Sequence, residues 1–167
     1  LLKKQAESLD IPIITAGTTW DDYEKKFKSL LRKIKKEGIE KGVFGDIDII
    51  DHRQWVERVC QEVGLKAELP LWQMERKDVL KKFIALGFKA EIVVVREKML
   101  DKSYLGRELS FELLEELEEK GIDACGENGE YHTVVLDGPI FSKAVNIERK
   151  ELISSKGCVF QNIEVIK

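Results

Sequence analysis

Apolar residues recur along the chain at helical spacing, and each helical stretch stops at a glycine that leads into a short strand-like run. From Asp21 onward, Tyr23, Phe27, Leu30, Leu31 and Ile34 share one helix face that Gly38 can end. GVFGDI (42–47) follows as a short apolar run closed by Gly45-Asp46. Val56, Val59, Cys60 and Val63 mark a second helix ended by Gly64, before KAELPLW (66–72). Val79, Leu80, Phe83 and Ile84 mark a third, ended by Gly87, before KAEIVVVRE (89–97), whose IVVV is the strongest strand signal in the chain. Upstream, LLKKQAESLD reads as an amphipathic helix feeding IPIITAG, a β-branched run read as a strand. Helices alternating with strands predict an α/β domain with a mainly parallel sheet.

Beyond Arg96 the pattern changes. MLDKSYLGRELS is irregular, and an acidic helix is predicted from Ser110, a good N-cap, to Lys120, with Gly121 as its stop. HTVVLDG, KAVNIERKEL and CVFQNIEVIK then alternate between Gly-rich turns, which predicts an antiparallel section. Pro70 and the polar run QMERKD (73–78) mark the boundary, dividing residues 1–74 from a smaller α+β part, 75–167.

Composition narrows the class. Of 167 residues, 43% are hydrophobic and 35% charged, enough apolar material for one or two cores. No apolar run approaches the ~20 residues of a membrane span, and no signal peptide opens the chain. Lys and Arg number 28 against 31 Asp and Glu, and this net charge of -3 argues against general nucleic-acid affinity. Cys60, Cys125 and Cys158 are odd in number and lack CxxC spacing, which fits a reducing cytoplasm and neither a disulfide framework nor a zinc site. Position 1 is Leu, and a helix feeding a strand belongs to a crossover whose first strand came earlier. The natural N-terminus is therefore expected upstream.

In an open parallel sheet, ligands sit beyond the carboxyl ends of strands. That singles out Gly17 after the first strand and Gly45-Asp46 after the second; tight turns alone would also account for both glycines. Asp51-His52-Arg53 opens a helix in which Arg53 and Glu57 can pair at i,i+4, either as a surface ion pair or as part of a site. His52 has no second ligand one turn away, and no metal site is expected. The densest chemistry lies in CGENGEYHTVVLDGPIF (125–141). Asn128-Gly129 favours a type I′ hairpin, across which Glu127 and Glu130 would face each other beside Tyr131 and His132. Such a cluster suits a cationic group or a metal ion; the other reading is an exposed hairpin with solvated charges.

GENGEYHTVVLDGPIF resembles the EGGEYE signature and following strand of the diphthine-ammonia ligase family of PP-loop ATP pyrophosphatases. VFGDI before a helix with Arg53, Glu57, Arg58 and Val59, then PLW (70–72) and YLGREL (104–109), agree in the same order. The resemblance implies a Rossmann-like nucleotide-binding domain, akin to the adenine nucleotide alpha hydrolases, with a smaller family-specific domain. It implies an ATP- and Mg²⁺-dependent enzyme that activates the carboxylate of diphthine, a modified histidine on elongation factor 2, as an acyl-adenylate. Ammonia then forms the amide, with AMP and pyrophosphate released.

By the same resemblance Glu127 and Glu130 are expected as catalytic residues. Asn128, Gly129, Tyr131, His132, Arg107 and Trp72 are expected to meet substrate, and Gly17, Gly45, Asp46 and Arg53 the nucleotide. Arg107 has a second reading, a salt bridge to the acidic helix. The quaternary ammonium of diphthine prefers aromatic faces and carboxylates, so Tyr131 and Trp72 with Glu127 and Glu130 are expected to cage it. The family's SGGKDS loop is expected before Leu1, and residues 1–167 alone are expected to be inactive. Asn128 stands where the family has Gly, a mild change, and His132 where it has Glu, which puts an imidazole in place of a fixed negative charge. Expected partners are ATP, ammonia and an elongation factor 2-like protein, without nucleic acid or membrane, and with a homodimer left open. The rival readings are a non-catalytic adenine-nucleotide-binding module and another PP-loop enzyme such as an RNA-modifying one.

Overall fold

The computed structural model describes residues 1–166. Two units divide it, one of Ile14–Glu75 and one joining Leu1–Ile13 to Arg76–Lys167. Helix α1 (Leu2–Ser8) belongs to the second unit. It is tied there by Gln5 Nε2 donating to the Val135 carbonyl (2.8 Å), and by the Ser8 carbonyl accepting from the Ser142 N–H (2.6 Å) and hydroxyl (2.8 Å).

The Ile14–Glu75 unit holds α2 (Tyr23–Lys36), β1 (Lys41–Val43), α3 (Ile50–Val63) and β2 (Lys66–Glu68). Strands β1 and β2 pair in parallel, Gly42 opposite Ala67. Val59, Cys60 and Val63 from α3 meet Leu31 and Leu65 in the core, and Phe27, Ile34 and Trp55 pack against them, as the helical spacing predicts. Gly64 ends α3 in the left-handed region (φ +72), and Leu65 N–H donates to the Cys60 carbonyl (2.9 Å) to close the last turn.

The second unit holds α4 (Arg76–Ala85), β3 (Lys89–Arg96), α5 (Phe111–Glu119), β4 (Tyr131–Asp137), β5 (Ile147–Ser155) and β6 (Cys158–Val165). Its four-stranded sheet has the order β4-β3-β6-β5 and is antiparallel throughout. Ser110 caps α5 as expected, its hydroxyl accepting from Leu113 N–H (3.1 Å). The apolar side of α5 (Leu113, Leu114, Leu117) lies in one core with Ala90, Ile92 and Val95 of β3.

Two expectations are corrected. IPIITAG is not a strand: residues 11–19 form no ladder, and Ile11, Ile13 and Ile14 stand exposed. Pro12 has no N–H to donate, and β-branched residues make a strand only where a neighbour supplies hydrogen bonds. Gly17 therefore follows no strand. The third helix-glycine-strand step also feeds the antiparallel sheet, since β3 pairs with β4 and β6. Helix-strand alternation says nothing of pairing sense, and the register shift between Ile92 and Val94 breaks the period-2 alternation that would have marked a sheet with one buried face.

Among the described residues no helix is long and apolar enough to cross a membrane.

Candidate functional site

The first candidate site is the turn that joins α5 to β4. After Gly121 (φ +69) the chain bends on Asp123, whose Oδ1 accepts from the Cys125 N–H (3.2 Å) and whose Oδ2 accepts from the Glu127 N–H (2.7 Å). Arg76, at the start of α4, donates to the same Oδ2 (2.8 Å) and to Asn128 Oδ1 (3.3 Å). A charge-assisted pair thus pins the turn to α4. The Cys125 thiol donates to the Arg76 carbonyl (3.1 Å), and burial pushes its pKa up to about 11, with Asp123 and Glu127 adding to the shift. It is an inert packing thiol at neutral pH.

Asn128-Gly129 does not form the expected type I′ hairpin. That turn needs positive φ at both central residues, and only Gly129 has it (φ +77). Two successive turns replace it, Gly126 N–H donating to the Asp123 carbonyl (3.0 Å) and Gly129 N–H to the Gly126 carbonyl (2.9 Å). Glu127 and Glu130 do not face each other across it as a solvated pair. Glu127 is exposed, whereas Glu130 is 3% exposed. Glu130 Oε1 accepts from the Asn128 amide (3.3 Å) and from Asp123 N–H (3.4 Å), while its buried Oε2 has no hydrogen-bond partner among the described residues.

Tyr131 is also buried, its hydroxyl donating to the Ala124 carbonyl, and burial raises its pKa. His132 and Thr133 are exposed on β4. Glu127, Gly129, Tyr131 and His132 line a cavity of about 310 Å³, within the range of small-ligand sites.

Arg107 makes the salt bridge to the acidic helix: its Nη2 donates to Glu116 Oε2 (2.6 Å), and its guanidinium lies 4.8 Å over the Tyr104 ring. Tyr104 hydroxyl donates to Glu116 as well. Arg107 first, then Tyr104, hold the Glu116 carboxyl down to about 2 from 4.5. A depressed carboxylate stabilises the fold above its unfolded pKa, and the contribution is lost as pH falls through the folded value. Stability is therefore expected to fall between about pH 4.5 and pH 2. In thermal melts across that window, Glu116→Gln should lower Tm at pH 7 and flatten the decline; an unchanged pH profile would contradict the assignment.

The second candidate site lies within Ile14–Glu75, past the end of β1. Asp46 follows Gly45 there, and its Oδ1 lies 3.3 Å from His52 Nδ1 at the start of α3. A Cβ on Gly45 would meet nothing within 4 Å. Arg53 pairs with Glu57 (2.7 Å), as expected, and its guanidinium also covers the Trp72 ring, 4.9 Å from the centroid. Gln73 N–H donates to the Ile47 carbonyl (2.7 Å), which stitches the PLW segment to this loop.

Beside Asp46 and His52, Trp20, Tyr23, Phe27 and Trp55 line a cavity of about 470 Å³. Glu24 supports its wall, accepting from the Trp55 indole N–H (2.9 Å) and taking a two-pronged pair from Arg58 (2.7 and 2.9 Å). Arg58 and then Lys28 hold the Glu24 carboxyl well below the usual range.

Arg76, Asp123 and this aromatic cleft were missed in the sequence. Arg76 sits inside the polar run read as a boundary, and Asp123 is 47 residues away from it. Helical spacing puts Tyr23 on one face with Leu31 and Ile34, yet it is 42% exposed, and Trp20 is 92% exposed. A Trp and a Tyr three residues apart at a helix start were the available signal.

Two family models match the chain: the diphthamide synthase N-terminal domain over residues 1–67 and the diphthamide synthase C-terminal domain over residues 75–165. Curated relatives agree. The diphthine–ammonia ligase of Mus musculus is 32% identical over 167 residues, 98% of this chain and 62% of the relative. The same-named protein of Homo sapiens is 29% identical with the same coverage. That of Danio rerio is 34% identical over 157 residues, 89% of this chain and 60% of the relative. The chain thus spans about three fifths of the length of these relatives.

Proposed function

The chain belongs to the diphthamide synthase family, and from that premise we propose that the natural protein is an ATP-dependent, AMP-forming diphthine–ammonia ligase. Residues 1–74 are taken as belonging to its nucleotide domain and 75–167 as its family-specific domain. Its protein substrate is an elongation factor 2-like protein, and its place is the cytoplasm.

The reaction divides into activation and amide formation. The diphthine carboxylate attacks the α-phosphorus of ATP, releasing pyrophosphate and leaving a mixed anhydride. Ammonia adds at the acyl carbon, the C–O bond to AMP breaks, and one proton leaves the nitrogen. On the nucleotide side, Gly45 leaves the backbone open to close approach, with Gly17 and Arg53 as further contacts. Mg²⁺ is held chiefly by phosphate oxygens in such reactions, and among the described residues no group of three or more His, Cys, Asp or Glu could hold a metal.

One observation supports the amide-forming role most: a buried carboxylate with one oxygen fixed and the other unpartnered, Glu130, within the signature turn. Burying a polar atom without a partner costs about 1–3 kcal/mol, and a catalytic role is one of the few reasons such an atom is retained. Oε2 would accept an N–H of ammonia, orient its lone pair toward the acyl carbon and take the proton released on attack. Glu127, Gly129 and His132 line the cavity, and the Asn128 amide positions Glu130. The test is a ligase assay on the natural protein with diphthine-bearing elongation factor 2, ATP and ammonium. AMP and amide formed in equal amounts are expected; AMP without amide, or no reaction, would overturn the reading.

A further inference from the structure

The two rings expected to form the cage, Tyr131 and Trp72, are already largely committed. Tyr131 is 3% exposed with its hydroxyl committed to Ala124, and Trp72 already carries the Arg53 guanidinium 4.9 Å from its ring centroid. The aromatic cleft of Ile14–Glu75 differs in both respects. We infer that Trp20, Tyr23, Phe27 and Trp55, with Asp46 at the wall, form the binding site for a quaternary ammonium group. As the recognition site for the trimethylammonium of diphthine, this rests on the ligase reading above.

Ring geometry carries the inference. Tyr23 lies nearly parallel to Phe27 (3°, centroids 6.1 Å), whereas Trp55 is inclined 29° to both, at 5.7 and 5.3 Å, and Trp20 is tilted 44° to Tyr23 at 6.2 Å. Walls in several planes suit a round cation, which is attracted to each ring face it meets. Asp46 is the one carboxylate among the lining side chains, beside His52 and the hydroxyl and indole N–H that Tyr23 and Trp20 carry. Asp46 supplies the opposite charge. Glu24 fixes the Trp55 ring through its indole N–H, and Arg58 and Lys28 absorb the charge of Glu24, so that ring is held before any ligand arrives. The exposure of Trp20 means that removing it leaves the core intact.

The experiment titrates the chain with choline and with its neutral carbon isostere, 3,3-dimethylbutanol, following the indole N–H resonances of Trp20 and Trp55 by NMR. Choline should bind saturably and roughly tenfold tighter than the isostere. Trp20→Ala and Asp46→Asn should each weaken it several-fold while the rest of the spectrum stays folded. Equal binding of choline and isostere, no binding of either, or preferential binding of adenosine overturns the inference. In the natural protein, Trp20→Ala should raise KM for the elongation factor and leave KM for ATP unchanged. Ligase activity with both constants unchanged would remove the cage and keep the ligase. Choline selectivity without ligase activity would keep the cage and remove the ligase.

Discussion

Glu130→Gln in the natural protein is expected to lower the rate of amide formation by about 100-fold or more, the usual scale for removing a positioned acid–base group. Gln has the shape of Glu and keeps an oxygen for the Asn128 amide and the Asp123 N–H, so the turn should survive. What it lacks is a basic oxygen at Oε2. The ammonia step should suffer while carboxylate activation continues, so pyrophosphate release should outlast amide formation. Glu127→Gln, altering an exposed carboxylate at the cavity rim, should cost far less. If rapid-quench kinetics with Glu130→Gln show amide forming at the wild-type rate, Glu130 has no part in the chemistry.

Gly126→Ala is expected to be the most destabilising single-methyl substitution in the signature turn. Gly126 has φ +67, and a Cβ there would sit 2.8 Å from the Tyr131 carbonyl oxygen, a backbone atom that β4 holds in place. The left-handed region alone costs a side chain about 1–2 kcal/mol, and forcing a methyl into a packed site adds about 1–3 kcal/mol. A total near 3 kcal/mol is a large fraction of the ~5–15 kcal/mol that holds a domain together. Gly121→Ala is the control: φ is +69, but its Cβ would meet nothing within 4 Å. Urea unfolding should therefore place Gly121→Ala about 2 kcal/mol above Gly126→Ala, from the absent clash. Equal midpoints would mean that the Tyr131 carbonyl yields freely.

These predictions rest on features of unequal visibility in the sequence. The inward face of α3, its Gly64 stop and the Ser110 cap were legible because each is decided within one or two helical turns. The strand runs of β4, β5 and β6 were legible for the same reason. Pairing was not: β3 lies in an antiparallel sheet, and IPII lacks the neighbour that would make it a strand. Asn128-Gly129 has the dipeptide of a type I′ turn, yet Arg76 on Asp123 and Asn128, with Glu130 beneath, outweighs that local preference. Arg76 and Asp123 meet only through the fold. The aromatic cleft was hidden differently, because helical spacing placed Tyr23 on the inward face although the helix start leaves it half open.

The order of residues that resembles the family signature, and the family models that match both parts of the chain, support the proposed chemistry. Its most direct measurement follows nitrogen. The natural protein is mixed with diphthine-bearing elongation factor 2, ATP and ¹⁵N-ammonium, and the modified histidine is read by mass spectrometry. The ligase reading predicts one labelled amide per molecule of AMP formed, none without ATP, and almost none with Glu130→Gln. AMP accumulating while the elongation factor stays unlabelled would contradict it.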